Sequence, residues 1–543
     1  MSHPPFPLQR AFPFIRTSVL IPFLLLGIGS TSWLIVRFRA LDSDSIMYGL
    51  PLAFATGPFS LTIPFMGEFP PYSSVWGHQW PGAMWMRGAL YAIVPFDRWF
   101  DIALLFSFQV GAAFLAGYLV WRLTRGVVAT LCTIAVVASD RVIIAGLQLH
   151  RWEAISNFAL MALLTGLVLT AGKRCQYPLP ISRHRHWWMA VAALGAFLAG
   201  ITHPFATGLA FGLVALAWID ALMLRRRWWA TAALPSFSLL LGLLAVALYF
   251  HEIPAAMEQF RANVALQHSF NSGSRWGFFT THLRYYHWLG YALWGAALLA
   301  APFVFSQLAH RKRAHRAFAA WALPLAAAGL PALFILTRSA NNSYAVLGLP
   351  FAMVLVASAT GLINRTRYPV FRSVSLGALI ILACGFLSVF PYRWLIFFKQ
   401  GTPDFPAEMA AILDRLPPGV RVYIPPPMWD VARQDPTRDY RLWSLSIAAP
   451  WETRLRYETQ AYAEAKEGDI LIVDRLPGTT GDPWGILPTF ETRPPDPRAW
   501  QHLFEVVKRV PGRGHDFGYD FAIFRRVDTP WKPADSPRAM HGN

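Results

Sequence analysis

Charge is scarce in this chain. Of its 543 residues 14% are Asp, Glu, Lys or Arg and 55% are hydrophobic, whereas a soluble protein carries roughly a quarter charged residues. Apolar surface of that extent must meet lipid. Acids are scarcest where the apolar residues concentrate: residues 1–400 hold 10 Asp/Glu beside 30 Lys/Arg. Cysteine is nearly missing, with 3 residues. Cys132 and Cys384 fall in apolar runs and Cys175 in a basic loop, so the C-terminal stretch can form no disulfide, and no zinc spacing exists. The phosphate-cradling glycine loop, the nucleophile elbow and the dinucleotide fingerprint are all lacking, which disfavours chemistry driven by ATP or a nicotinamide cofactor. Composition also excludes disordered and disulfide-scaffold chains. The lack of an internal repeat counts against a transporter built from inverted halves.

What is there is a series of apolar runs. The first, Thr17 to Val36, follows Arg10 and Arg16 and reads as an uncleaved span with its N-terminus inside. Further candidate spans are 99–121, 126–143, 154–172, 187–203, 204–224, 228–250, 287–309, 317–337, 343–362 and 374–390, which makes eleven. With the N-terminus inside, the inner loops carry Arg122 and Arg125; Lys173, Arg174, Arg183 and Arg185; Arg225, Arg226 and Arg227; Arg311, Lys312, Arg313 and Arg316; and Arg365, Arg367 and Arg372. Short basic inner loops are what the positive-inside rule requires. Nine of the 10 acids fall in outer loops or near outer helix ends, and Asp220 alone lies toward the inside. An odd number of spans then places residues 391–543 outside. The formal charge of +18 divides accordingly, +20 over residues 1–400 and −2 over 401–543. It labels orientation, and the near-neutral tail offers no face for nucleic acid.

The expected fold is an α-helical polytopic membrane protein of about eleven transmembrane helices with a C-terminal extracytoplasmic α/β domain. Residues 1–400 form the membrane domain, with a long first outer loop at 41–98, and residues 401–543 the soluble domain. Both the first loop and the outer loop at 251–286 are rich in Trp, Tyr, His and Pro, which suits short helices lying on the membrane surface; Gly82 to Val94 is a candidate. In the tail the pattern predicts a helix over Phe405–Leu416 and strands at Val420–Ile424, Asp469–Asp474, Phe504–Val510 and Phe521–Arg526. A helix over Thr453–Lys466, ended by Gly468, completes the α/β pattern.

The strongest chemical constellation is Leu41-Asp42-Ser43-Asp44-Ser45-Ile46-Met47-Tyr48, directly after the first span. A carboxylate held at a membrane surface is partly desolvated and can act as a general base; two acids and two serines also simply solvate a helix exit. Gly77-His78-Gln79-Trp80-Pro81-Gly82 and His150-Arg151-Trp152-Glu153 come next, although an Arg-x-Glu also suits a solvated turn.

The arrangement resembles the polytopic glycosyltransferases of the GT-C superfamily, in particular bacterial relatives of protein mannosyltransferases and lipid A aminoarabinose transferases. Their first outer loop opens with an Asp-Glu-x-x-Tyr motif, matched here by Asp44, Ser45 and Tyr48, with Ser45 in place of the second acid. Arg151 and Glu153 match a pair found between the third and fourth spans, and Thr202, His203 and Pro204 match a turn two spans later. The segment Asn341–Pro350, with Tyr344, resembles the lead into a late span, and Leu416-Pro417-Pro418-Gly419-Val420-Arg421-Val422 resembles the opening of the C-terminal domain.

The resemblance implies a sugar donor carried on a polyprenyl phosphate and presented at the outer face of a bacterial inner membrane, with a glycan, lipid or protein acceptor. Asp44, or Asp42, would be the base, with Glu153 as a further catalytic acid. A phosphate leaving group needs cations, and the outer-side candidates are Arg151, Arg261, Arg275, Arg284 and Arg338, with His78 and His287 as further donors and Tyr344 beside them. Each arginine also suits anchoring at the interface. A divalent metal is possible on Glu68 and His78. Trp429, Trp443 and Trp451 could stack on sugar rings or dock the tail on the membrane loops. Two rival readings remain: a transporter or flippase, with charges near the bilayer midplane, and a non-enzymatic envelope assembly factor that would tolerate loss of Asp44.

Overall fold

A computed structural model describes residues 17–37, 79–147, 150–171, 183–223, 229–269, 288–309, 314–337, 346–364, 368–388, 404–425, 428–442, 465–474, 499–510 and 517–527, with isolated positions at 49–57, 77 and 391–398. In chain order the helices are α1 (Thr17–Arg37), α2 (Gly82–Tyr91), α3 (Arg98–Thr124), α4 (Val127–Ala138), α5 (Arg141–Leu147), α6 (Glu153–Thr170), α7 (Arg183–Thr202), α8 (Pro204–Met223), α9 (Trp229–Glu252), α10 (Pro254–Ser269), α11 (Trp288–Ala309), α12 (Ala314–Thr337), α13 (Leu349–Ile363) and α14 (Pro369–Leu387). Each run expected to span a membrane contains a helix among its described residues, the run 126–143 being broken at Ser139-Asp140. Among the described residues, where eleven spans were expected, eight helices are long and apolar enough to cross one, the second of them Val127–Ile144, running through α4 into α5. α13 is apolar but shorter.

Burial sorts these helices. α6 is buried along 89% of its apolar window, whereas α11 and α14 bury 28% and 22%. α6 is therefore the centre of the bundle, and the other two present most of their surface to lipid. α4 and α5 are separated at Ser139-Asp140, where the Asp140 carboxylate accepts from the Val142 and Ile143 amides at 2.9 and 3.3 Å and caps the new helix. α7 and α8 break at His203, whose Nδ1 accepts from the Phe205 amide at 3.2 Å while Pro204 opens α8. The helix expected at 82–94 is α2, which buries Ala83, Met84, Trp85, Arg87 and Tyr91 in the protein, and the second outer loop contributes α10.

The C-terminal region begins with α15 (Phe405–Leu413), capped by the Asp404 carboxylate on the Ala407 amide. It continues with β1 (Arg421–Ile424), α16 (Trp429–Ala432), β2 (Asp439–Leu442), β3 (Ile470–Asp474), β4 (Trp500–Val510) and β5 (Phe517–Arg526). The sheet order is β2-β1-β3-β5-β4. β1 is parallel to β2 and β3, and β5 is antiparallel to β3 and β4. Gly468 has φ +90° and its amide bonds the Arg526 carbonyl at 3.0 Å, a turn that requires glycine. Of the helix expected over Thr453–Lys466, residues 453–464 lie outside the described residues, and Ala465 and Lys466 are not helical.

Strand alternation divides the apolar side chains of the sheet between two cores. Val422, Ile424, Ile470 and Ile472 join Met409, Ile412 and Trp429 in a core continuous with the helical bundle, while Tyr423, Leu471, Val473 and Trp500 pack on the opposite face. The C-terminal region is thus seated on the helices through buried apolar contact. Sequence reading missed β2 and α16. β2 carries two charges in four residues and is held in register by β1, and α16 is a single turn.

Candidate functional site

Polar side chains gather where α2, the start of α3, the loop between α5 and α6, and the junction of α7 and α8 meet. Asp101 stands in the first turn of α3, and its carboxylate is fully buried. Arg87, on the inner face of α2, donates from Nη1 to Asp101 Oδ2 at 2.8 Å, from Nη2 to the His150 carbonyl at 2.9 Å and from Nε to the Ala83 carbonyl at 3.1 Å. Tyr91 donates its hydroxyl to Asp101 Oδ1 at 3.1 Å, and His150 Nδ1 lies 2.6 Å from Asp101 Oδ2. Arg87 thereby joins the surface helix, a span and a loop in one buried ion pair. Such a pair is tolerated because each guanidinium nitrogen of Arg87 and each oxygen of Asp101 has a partner.

His150 owes its placement to the end of α5. Its amide bonds the Leu147 carbonyl at 3.0 Å and the Arg151 amide bonds the Gly146 carbonyl at 3.3 Å, the pair of bonds that closes a helix with a left-handed residue. That residue is His150, at φ +57°, a conformation costing a non-glycine side chain roughly 1–2 kcal/mol. Burial pushes the imidazole below its ordinary pKa despite the adjoining Asp101 carboxylate. Because a carboxylate can only accept, Nδ1 donates to Asp101. Nε2 is buried and makes no hydrogen bond among the described residues.

The turn then delivers Arg151 and Glu153. Arg151 donates from Nε and Nη2 to Glu153 Oε1 at 2.8 and 2.5 Å, and both side chains are buried. The expectation of a solvated turn is therefore corrected: this Arg-x-Glu is an internal ion pair at the head of α6. Between them, Trp152 stacks on His203 with ring centroids 3.9 Å apart and 6° between planes. Ser156 donates to Thr202 at 2.9 Å. Two motifs that lay 50 residues apart in sequence, His150–Glu153 and Thr202–Pro204, are thus one structural unit. α2 closes over it, since a Cβ on Gly82 would stand 2.4 Å from the Ile201 carbonyl.

The C-terminal region reaches the same place. Trp429 is fully buried, so its possible role as an exposed platform for sugar is corrected to one of docking. Arg433 donates to Asp430 at 2.9 Å and lies over the Phe96 ring at 5.2 Å, and Phe96 packs on His150. Arg98 is buried beside the Trp99 ring, 5.1 Å from its centroid, with Asp430 and Asp404 as charged neighbours. Neither Arg87, Arg98, Asp101 nor Trp429 is marked by a local motif.

Of the residues singled out in the sequence, Arg151 and Glu153 are brought together, and Arg261 is exposed on α10. Asp42, Asp44, Glu68, His78, Arg275, Arg284, His287, Arg338 and Tyr344 lie outside the described residues, as do Trp443 and Trp451. Gly49, the residue after the acidic motif, is described and buried. Among the described residues no group of three or more His, Cys, Asp and Glu could hold a metal ion.

Membrane-length helices, a short helix after the first of them, and an α/β region seated over a buried polar cluster make up this fold. The particular solved structure that shows it is that of ArnT from Cupriavidus metallidurans bound to undecaprenyl phosphate, similar with a TM-score of 0.55 over 96% of this chain and 100% of that one, at 12% sequence identity. The likeness expected from the sequence holds at the level of the fold. No protein-family model and no curated protein matches the chain.

Proposed function

We propose that this protein is a membrane glycosyltransferase that takes a sugar from a polyprenyl-phosphate donor at the membrane face covered by its C-terminal region. The observation that carries the reading is the whole-chain likeness of fold to a protein solved with undecaprenyl phosphate. The buried charges of Arg87, Arg98, Asp101, Arg151 and Glu153 under the C-terminal region support it, because ionisable groups at membrane depth are costly and accompany function.

In this reading an aspartate of the acidic motif, Asp44 or Asp42, takes the proton of an acceptor hydroxyl. The freed oxygen attacks the anomeric carbon from the face opposite the phosphate, the carbon–oxygen bond to phosphate breaks, and the polyprenyl phosphate leaves with inversion at the sugar. Gly49 ties the motif to the cluster: five residues of chain, spanning at most ~18 Å, separate it from Asp44. Arg151 is already neutralised by Glu153, whereas Arg98 makes no hydrogen bond through Nε or Nη1 among the described residues. Arg98 therefore joins Arg275, Arg284 and Arg338 among the cations proposed to meet phosphate charge.

Asp44→Asn and Asp42→Asn are to be assayed in parallel with a labelled polyprenyl-phosphate sugar. Loss of a positioned base lowers the rate by about 10²–10⁴-fold, and one of the two variants should show it. Wild-type transfer by both would remove the base from this motif. The same assay separates the transporter and assembly-factor readings, in which no sugar is transferred at all.

A further inference from the structure

Gly49, His150 and Trp429 meet at one point. A Cβ on Gly49 would stand 2.8 Å from Cδ2 and 3.2 Å from Nε2 of His150, and 2.9 Å from Cζ2 of Trp429. No residue larger than glycine fits there unless one of the two rings moves. Both rings are held from behind. His150 is fixed through Nδ1 by Asp101, which Arg87 and Tyr91 fix in turn, and its ring packs on Phe96. Trp429 is held by α16, whose end is tied to Phe96 by the Arg433 guanidinium, itself paired with Asp430. A histidine also stands at φ +57° where glycine would be relaxed. Strain kept at such a place indicates that the ring is needed.

We propose that this seat positions the acidic loop: the C-terminal region, through Trp429, presses Gly49 against His150 and so fixes the end of the loop that carries Asp42 and Asp44. The inference rests on the reading of that loop as the one that bears the base, and it gives the C-terminal region a task. Trp429 and His150 are positioning residues and touch no substrate. Fixing one end of a short segment is effective because a displacement of about 1 Å at a reacting group can cost 10²-fold in rate.

The test uses the full-length protein in lipid vesicles, a labelled polyprenyl-phosphate sugar, and limited digestion of the C-terminal region by trypsin. Trp429→Ala is expected to lower kcat by about tenfold or more with KM for the donor changed less than about twofold. Trp429→Phe should restore most of the rate by filling most of the space. Gly49→Ala should reproduce the loss, and the double variant Gly49→Ala/Trp429→Ala should be no more than about twofold worse than the worse single one, since both release the same contact. Both single variants should speed digestion of the C-terminal region. Losses that multiply, or losses carried by KM, overturn the proposal. If Trp429→Ala does not fold, Trp429→Phe and Gly49→Ala carry the comparison. A wild-type protein that transfers no sugar, with digestion responding to both variants, refutes the donor reading and leaves the seat standing. Transfer by the wild type, with digestion unchanged in both variants, refutes the seat and leaves the donor reading standing.

Discussion

Three donors converge on the two oxygens of Asp101, and this carboxylate decides whether the Arg87 guanidinium is tolerable where it lies, 1% exposed. Asp101→Asn keeps the shape and removes the charge, so the Arg87 cation becomes uncompensated. Breaking a buried pair from one side costs ~3–5 kcal/mol, and thermal unfolding in detergent should register a loss of that order. Replacing both partners by apolar residues, Arg87→Met with Asp101→Leu, should recover much of it, because no orphan charge remains. Arg421→Ala, which removes a half-exposed pair with Asp439 on the sheet, should change stability by less than ~1 kcal/mol. Equal effects for Asp101→Asn and Arg421→Ala would refute the network. Sequence reading reached Arg151 and Glu153 because two residues separate them and a motif can show that. His150 stood in that same motif, but its contact with Arg87 and Asp101 was not legible, since the three are 14, 49 and 63 residues from one another. No local spacing carries such a contact; only the folding of α2 over the α5–α6 turn creates it.

Helix α6 owes its central place to small residues. A Cβ on Gly195 of α7 would lie 2.5 Å from the Ala159 carbonyl and 2.6 Å from the Leu163 amide, backbone that cannot yield. In lipid, close approach of this kind replaces the hydrophobic drive that water supplies. Gly195→Val should therefore separate α6 from α7 and lower stability by ~2 kcal/mol or more, in the range of overpacked cores. Gly295→Ala on lipid-facing α11, where nothing lies within 4 Å of the new Cβ, should be neutral or stabilising by up to ~1 kcal/mol. Thermal unfolding of both variants in one detergent decides the matter, and equal melting would show that α6 and α7 are not held by this contact. At this scale the sequence was informative, since a bilayer sets the length of an apolar run and arginines mark its ends. α7 extends back to Arg183, beyond the apolar run expected from 187, because a helix continues through residues that face headgroups. α16 and β2 had no comparable signal: each has four residues and takes its form from what it packs against.

For the whole molecule, one end carries Asp97, Asp101, His150, Glu153, His203 and the seated C-terminal region, and the opposite end of α3 carries Arg122 and Arg125. The helices therefore fix the C-terminal region to the acid-bearing end whichever way the bundle is inserted. Charge then chooses the direction. Residues 1–400 carry a balance of +20, with Arg122 and Arg125 at the far end of α3, and short basic loops stay in the cytoplasm. We propose that the C-terminal region lies outside, together with the polar cluster, where a lipid-carried donor would be met without nucleotide chemistry. Protease added to intact spheroplasts should remove the C-terminal region. Arg125→Cys, exposed at the left-handed end of α3, should react with a membrane-impermeant maleimide only in inverted vesicles, in a background where Cys132, Cys175 and Cys384 are replaced. A protected C-terminal region with Arg125→Cys labelled from outside would reverse the insertion. It would leave every helix contact unchanged, yet it would move the cluster and its proposed donor to the cytoplasmic face, so this pair of measurements decides which compartment supplies the acceptor.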